Sequence, residues 1–207
     1  MQNQGILLVV SGPSGAGKGT ICSALLERHP DIYYSVSLTT RAPREGEING
    51  RDYVFVSKET FEDMIKSGQL LEYAQVYGNY YGTPRRNIKE QLKMGNNVLL
   101  EIEMDGAEQI RKKFRGGVLV FVLPPSLNDL LLRLQTRAKD DDASVKERLE
   151  AADGEIVRAL RYDYVIINNV VEEAVGKLLA IIEAEKSRVS RNRKTIHNMR
   201  YNSKNAR

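Results

Sequence analysis

Four short apolar runs recur along the chain, and each of them contains β-branched side chains. They cover residues 6–10, 97–102, 118–123 and 164–167. Runs of this length and composition are typical of strands in the interior of a sheet. The pattern therefore predicts four buried strands.

A helical pattern of apolar positions follows each of these runs. Helices are predicted over residues 18–28, 105–113, 126–136, 144–160 and 171–190. Strands that alternate with helices favour a parallel sheet, because the chain must cross back over the sheet between neighbouring strands. We therefore expect an α/β fold with a central parallel sheet flanked by helices, and ligands at the carboxyl ends of its strands.

Two segments interrupt this alternation. Between about residues 35 and 84, short strand patterns surround a predicted helix over residues 58–67, which indicates an inserted subdomain. Residues 137–143 are polar and lie between two predicted helices. A polar segment in that position is typical of a mobile lid.

Composition narrows the class of protein. The 207 residues are 42% apolar, so a core of ordinary size can form. No apolar stretch approaches the roughly 20 residues that cross a bilayer, and the first ten residues carry no basic signal region. We therefore expect a cytoplasmic protein. The single cysteine, Cys22, excludes an internal disulfide and a metal site built from cysteines, and we expect it to pack inside the first helix.

The net charge of +4 is unevenly distributed. Residues 186–207 contain eight Lys or Arg and no acidic residue, which leaves residues 1–185 with a net charge of −4. Tyr201 is the one aromatic residue in this basic tail, whereas single-stranded nucleic acids are bound by cations combined with several stacking rings. We interpret the tail as the solvated end of the last helix, and we expect neither a nucleic acid nor a membrane as partner.

The most specific motif is GPSGAGKGT, residues 12–20, between the first predicted strand and the first predicted helix. Backbone N–H groups of a glycine-rich turn can surround a phosphate there, and the positive end of the helix points at the same place. A turn that only links a strand to a helix would explain the glycines but not Lys18. The hydroxyl that usually follows the lysine is missing, because Gly19 takes its position and Thr20 comes one residue later.

A second anion site is indicated by Arg41 and Arg44, which stand three residues apart around Pro43. Guanidinium groups bind phosphate oxygens bidentately and stay charged. An ordinary surface loop is the alternative for this segment alone. Tyr53 and the tyrosine-rich residues 78–83 add hydroxyls and aromatic faces, so the combination favours two phosphate sites that face each other.

The order of these motifs resembles that of the guanylate kinase family. The resemblance extends over nearly the whole chain to about residue 190, in the segments GPSGAGKGT, SVSLTTRAPREGE, GRDYVFVS, LLEYAQVYGNYYGT, LLEIEMDGA and RYDYVIINN. It implies a P-loop NTPase core with an inserted GMP-binding subdomain and a mobile lid. It also implies transfer of the γ-phosphoryl group of ATP to GMP, in purine nucleotide metabolism, with Mg²⁺ accompanying ATP.

The resemblance also implies a division of the chain. The P-loop core would comprise residues 1–34 and 84–190, with the lid at about 137–147, and the nucleoside monophosphate-binding subdomain would comprise residues 35–83. Residues 191–207 form the basic tail outside the resemblance. The oligomeric state, monomer or homo-oligomer, is left open.

The GMP-binding residues are implied by their match to family positions. Two arginines and two tyrosines would hold the phosphate, and the other residues would read the guanine edge. A carboxylate such as that of Glu72 can accept from N1–H and from the 2-amino group together, whereas adenine offers neither donor. An exposed carboxylate on a strand is the alternative for Glu72. The implied set is Ser37, Arg41, Arg44, Tyr53, Glu72, Tyr81, Thr83 and Glu103.

Two carboxylates end a strand that should be buried. Strand alternation sends Glu101 and Glu103 to one face, where charges need partners. Glu101 and Thr20 are the candidate Mg²⁺ ligands, and whether contact is direct or through water is left open. An ion pair with Arg41 or Arg44 is the alternative for either glutamate.

The resemblance places Arg137 and Arg148 in the lid, closing on the phosphates of ATP. With Lys18, Arg41 and Arg44 they form the candidate catalytic set. A simple position on a helix surface is the alternative for a further arginine, Arg133. The implied ATP-binding residues are Gly12, Pro13, Ser14, Gly15, Ala16, Gly17, Lys18, Gly19, Thr20 and Asn168.

Two other functions stay open at this point. One is phosphoryl transfer to a different nucleoside monophosphate on the same core. The other is a guanylate-kinase-like module that binds phosphoprotein partners without catalysis. The intact Gly17-Lys18 pair and both candidate lid arginines favour the enzyme.

Overall fold

The computed structural model describes residues 5–76, 78–137 and 154–205. Within them a five-stranded parallel sheet and a four-stranded mixed sheet are joined by helices. The strands are β1 (Leu7–Ser11), β2 (Tyr33–Tyr34), β3 (Leu38–Thr39), β4 (Val54–Phe55), β5 (Leu70–Val76), β6 (Asn79–Pro84), β7 (Val98–Glu101), β8 (Gly117–Leu123) and β9 (Tyr164–Ile167). The helices are α1 (Lys18–Arg28), α2 (Lys58–Lys66), α3 (Arg85–Lys93), α4 (Met104–Lys113), α5 (Leu127–Arg137), α6 (Val171–Ser187) and α7 (Val189–Asn205).

The parallel sheet has the strand order β2-β7-β1-β8-β9. All five residues of β1 are buried, because helices cover both faces of the sheet at its centre. Apolar side chains of α1 and α6 pack on one face, and those of α3 and α4 pack on the other. Each fully buried Leu, Ile or Val contributes about 1.5–3 kcal/mol to folding. The α/β fold class is confirmed, and all four predicted strands are present with boundaries within one residue. Three of them are interior, but β9 is an edge strand in which Val165 and Ile167 are exposed, so its predicted interior position is wrong.

The second sheet has the order β4-β3-β6-β5 and is built within residues 38–84. Its own small core contains Leu38, Phe61 and Leu70, and the ring of Phe61 stacks on Tyr80 at 5.2 Å between centroids. Helix α2 begins after Ser57, whose hydroxyl accepts from the backbone N–H of Thr60. The predicted interruption of the strand–helix alternation is therefore present.

Three elements differ from the sequence-based expectation. Helix α3 was not predicted, although Ile88 and Leu92 give it a buried face. The predicted helix over residues 144–160 lies outside the described residues up to 153, and Val157–Arg161 form a 3-10 helix. The predicted lid at residues 137–147 also lies outside them, apart from residue 137 at the end of α5.

The predicted last helix, over residues 171–190, ends earlier as α6, and most of the basic tail forms a separate helix, α7, rather than the end of the last predicted helix. Arg188 has an extended ψ of 133°, which interrupts the helical path between α6 and α7. The side-chain amide of Asn192 donates to the carbonyl of Lys186 at 2.8 Å and to that of Arg188 at 3.0 Å, so it links the end of α6 to the start of α7. Arg191 fixes the first turn of α7 by donating to the carbonyl of Gly116 at 2.9 Å. Among the described residues, no helix has both the length and the apolar content that a membrane span needs.

Candidate active site

The glycine-rich loop lies at the carboxyl end of β1 and leads directly into α1. Gly12, Gly15 and Gly17 have φ values of 146°, 83° and 89°, a region that side chains strongly disfavour. A β-carbon on Gly12 would also stand 2.3 Å from the carbonyl oxygen of Val122. The loop can therefore take this path only because glycines occupy these positions, and glycine-rich loops at a helix N-terminus bind phosphate through backbone N–H groups.

The ammonium group of Lys18 lies across this loop. Its Nζ donates to the carbonyl of Gly12 at 2.6 Å and to that of Pro13 at 3.2 Å. The same side chain lines the larger cavity next to the loop. The cation is thus held where outer phosphate oxygens could replace the carbonyls as acceptors.

The back of the loop is fixed through one carbonyl group. The oxygen of Ala16 accepts from the side-chain amide of Asn168 at 2.9 Å and from the guanidinium of Arg133 at 3.2 Å. Arg133 also donates to the carbonyl of Asn168 at 2.9 Å. Arg133 is therefore not a simple helix-surface arginine, and its contact with the loop is one that helical periodicity alone does not reveal.

Asn168 is 4% exposed, and its Oδ1 has no hydrogen-bond partner among the described residues. Its role in ATP binding stays a prediction, and its amide nitrogen already donates to the carbonyl of Ala16. A second cavity of about 410 Å³ opens beside it, lined by Gly15, Gly17, Thr20, Leu132, Arg133, Asn168, Asn169 and Val171. The loop thus borders two cavities, with Lys18 in one wall and Thr20 in the other.

The larger of the two cavities beside the loop, of about 480 Å³, lies between the two sheets. Seven of the sequence-predicted residues line it, namely Lys18, Ser37, Tyr53, Glu72, Tyr81, Glu101 and Glu103. They come from α1, from the second sheet and the residues just before β3 and β4, from the end of β7 and from the residue before α4. The fold thus brings together residues up to 85 positions apart in sequence. A cavity of this size accommodates a nucleotide-sized ligand.

The carboxyl group of Glu72 lies at the buried end of this cavity, 3% exposed on β5. The hydroxyl of Thr83, its neighbour on β6, donates to Oε1 at 2.5 Å. Burial is the main reason that the pKa of Glu72 is raised to about 7; the negative charge of Glu103 acts in the same direction, and the Thr83 hydrogen bond acts against it. Glu72 is therefore not the exposed strand carboxylate that was the alternative.

Arg41 is held by Glu47, a residue that sequence reasoning did not single out. The two guanidinium nitrogens of Arg41 contact the two carboxylate oxygens of Glu47, each at 2.7 Å. Glu47 also accepts from the backbone N–H of Arg44 at 2.7 Å and lines the larger cavity. Its spacing of three and six residues from the two arginines is the signal that could have identified it.

Electrostatics and aromatic contacts fix this arginine further. The hydrogen bonds from Arg41 lower the pKa of Glu47 to about 2, and they raise the pKa of Arg41. The guanidinium carbon of Arg41 lies 5.2 Å from the centre of the Tyr53 ring, and Tyr53 packs edge-on against Tyr81. Arg44 is exposed, and neither Arg41 nor Arg44 is among the residues that line the larger cavity.

The predicted metal ligands do not share one wall. Glu101 lies beside Gly19, the residue after Lys18. Its Oε1 is 3.4 Å from the position that a β-carbon on Gly19 would take. Thr20 lines the other cavity. The described residues contain no group of three or more His, Cys, Asp and Glu side chains arranged around a metal position. Mg²⁺ usually keeps several waters and takes one or two carboxylates with substrate phosphates, so Glu101 beside the loop fits it.

Two predicted site residues cannot be described. The side chain of Arg137 and the whole of Arg148 lie outside the described residues. Pro13, Ser14 and Ala16 are in the loop, where Ala16 is buried against the core and Ser14 is exposed.

Comparison with known proteins identifies the family of this chain. The family model for guanylate kinase matches residues 4–185. A guanylate kinase of Clostridioides difficile is 51% identical over 193 residues, covering 93% of this chain and 94% of that protein. One from Clostridium perfringens is 49% identical over 189 residues, covering 91% and 88%. The crystal structure of guanylate kinase from Anaplasma phagocytophilum has a TM-score of 0.78 at 36% identity, covering 92% of this chain and 91% of that one. The chain therefore belongs to the guanylate kinase family.

Proposed function

We propose that the chain transfers the γ-phosphoryl group of ATP to GMP and releases ADP and GDP. The observation that carries this proposal is the placement of Lys18 and the buried Glu72 in the wall of one cavity. Lys18 belongs to the phosphate-binding loop, and the carboxylate of Glu72 can accept hydrogen bonds from a base that carries N–H donors. Close relatives that carry the name guanylate kinase support the same activity.

ATP is assigned to the glycine-rich loop. The loop N–H groups and Lys18 hold its phosphates, while the second cavity beside Asn168 takes the remainder of the nucleotide. Glu101 would hold Mg²⁺, directly or through water, and Thr20 is the second candidate ligand. The ion would supply charge neutralisation on the transferred group.

GMP is assigned to the larger cavity. Arg41, Arg44, Tyr53 and Tyr81 hold its phosphate, and Glu47 aligns Arg41 for that purpose. Ser37, Glu72, Thr83 and Glu103 read the guanine. Because a site built around buried polar groups leaves them unpaired with the wrong base, discrimination against AMP by roughly 10⁴-fold is expected.

Positioning and electrostatics account for the chemical step. The acceptor is already a phosphate anion, so a general base is not required. The core of residues 1–34 and 84–190 carries ATP, and residues 35–83 carry GMP. Closure of the segment at about 137–147 brings Arg137 and Arg148 over the transferring group and excludes water, so that GMP rather than water accepts it. We place this reaction in the cytoplasm, in purine nucleotide metabolism.

The test compares acceptors and a loop variant. GDP formation from GMP should exceed product formation from AMP, UMP and dTMP. Lys18→Met should lower the rate on the order of 10²-fold or more, whereas Lys89→Met on the exposed side of α3 should leave it unchanged. Equal turnover of another monophosphate would indicate a different kinase. Unchanged GMP phosphorylation by Lys18→Met would contradict the mechanism, and binding of GMP without turnover by the wild type would indicate a non-catalytic module.

A further inference from the structure

The first turn of α4 packs directly against the carboxyl group of Glu72. Gly106 is the third residue of this helix and is buried at the contact. A β-carbon on Gly106 would lie 2.1 Å from Oε2 of Glu72 and 2.8 Å from its Cδ. Carbon and oxygen atoms that are not bonded do not approach so closely, so the carboxyl group occupies the space that any other residue at 106 would fill.

The backbone that carries Glu72 has little freedom to move away from α4. The side-chain amide of Gln109, one turn further along the helix, donates to the carbonyl of Tyr73 and accepts from its N–H. Tyr73 is the residue after Glu72, and the other edge of β5 is paired with β6. A clash at Gly106 must therefore be relieved by rotation of the Glu72 side chain rather than by displacement of the strand.

Rotation of a carboxyl group is a small change for folding and a large one for recognition. Gly106 is helical and does not need a positive φ, so alanine fits its backbone and improves helix propensity. The atoms in the way are the far end of a flexible side chain. Rotation would, however, move Oε1 from the Thr83 hydroxyl, which now fixes it at 2.5 Å.

We propose that Gly106 is a positioning residue for guanine specificity: by lacking a side chain, it lets the Glu72 carboxylate stand where it accepts from N1–H and the 2-amino group. This inference rests on the proposed function, in which Glu72 reads guanine. Gly106 itself touches no substrate in this account. It acts through the carboxylate, and its effect is confined to the acceptor.

The experiment measures GMP and inosine monophosphate as acceptors for Gly106→Ala. Inosine monophosphate keeps N1–H but lacks the 2-amino group. The variant should raise the KM for GMP by about 10-fold to 100-fold, the loss expected for hydrogen bonds to a charged group, and should lower the preference for GMP over inosine monophosphate. The KM for ATP should stay within about twofold of the wild-type value. The urea midpoint should stay within about 0.5 M of wild type, because a Gly-to-Ala change in a helix is worth about 1 kcal/mol and the slope is about 2 kcal/mol/M. Gly176→Ala, at an open position of α6, is the matched control.

A second variant tests the space directly. Aspartate at 72 is one methylene shorter, so in Gly106→Ala/Glu72→Asp the carboxylate withdraws from the new β-carbon. The two substitutions should be strongly non-additive. The fold-increase in the KM for GMP in the double variant should be smaller than the product of the fold-increases in the two single variants. The inference would be overturned if the fold-increases in KM simply multiplied in the double variant. It would also be overturned if Gly106→Ala kept the wild-type KM for GMP and the wild-type preference for GMP over inosine monophosphate.

Glu72→Gln separates this inference from the function on which it rests. If Glu72→Gln abolishes the preference for GMP while Gly106→Ala leaves it intact, only the positioning role fails. If Glu72→Gln also leaves the preference intact, the assignment of guanine to Glu72 is wrong, and the positioning role falls with it.

Discussion

Replacing Glu72 by glutamine should stabilise the empty protein while it damages GMP binding. Glutamine keeps the shape of the side chain and an acceptor for Thr83, but it removes a charge that is 3% exposed. Burial raises the pKa of this carboxyl from 4.5 to about 7. Multiplied by 1.36 kcal/mol per pKa unit, that difference means that the ionised carboxylate costs the folded state about 3 kcal/mol.

The sign of the effect follows from the direction of the shift. Below pH 4.5 the carboxyl is protonated in both the folded and the unfolded chain, so the wild type bears no penalty. As pH rises through the window from 4.5 to 7, the unfolded chain releases its proton before the folded chain does, and the free energy of unfolding falls. Above pH 7 the penalty is complete. The advantage of Glu72→Gln should therefore be about 2 kcal/mol larger at pH 8 than at pH 5.5.

Urea unfolding followed by circular dichroism at both pH values measures this difference. The slopes of the transitions should agree between the variants, so that the midpoints report stability. Glu27→Gln, on the exposed side of α1, should give the same offset at both pH values. The reasoning is refuted if the difference between Glu72→Gln and wild type is the same at pH 5.5 and pH 8.

Three further predictions concern substrates. The KM for GMP should rise about tenfold between pH 8 and pH 6 as Glu72 is protonated, with a much smaller change for Glu72→Gln; equal changes in the two enzymes would contradict this. Glu47→Gln should raise the KM values for GMP and inosine monophosphate in the same proportion, by about tenfold, because it loosens the phosphate-binding Arg41 and not the base contacts; a change in the ratio of the two would count against it. Asn168→Ala should raise the KM for ATP and leave isothermal titration of GMP unaltered, since the amide supports Ala16 of the loop; weaker GMP binding would argue otherwise.

The sequence was sufficient for features that depend on local pattern. The interior strands were predictable because apolar runs such as residues 118–123 have no other stable place than a covered sheet. The glycine-rich loop was predictable because the backbone geometry it needs leaves few choices of residue. Helix α3 was missed because its short apolar face follows Pro84 directly and sits among charged residues.

Features that depend on contacts between distant segments were not predictable. Glu47 looks like one more surface carboxylate until the loop folds it onto Arg41. Arg133 and Asn168 meet Ala16 only because β9 and α5 reach the same edge of the sheet as the loop. In the sequence, Gly106 looks like an ordinary residue of a helix, and only its close contact with the Glu72 carboxyl group in the structure indicates a role for it.

The anchoring of Ala16 from two sides has a consequence for how readily a triphosphate is received. The carbonyl of Ala16 already accepts hydrogen bonds from a guanidinium and an amide, so the incoming anion does not have to order the phosphate-binding loop. The conformational entropy of the loop is lost when the chain folds, so it is not lost again each time a triphosphate binds. The electrostatic attraction between the loop and a phosphate group can then align that phosphate for reaction.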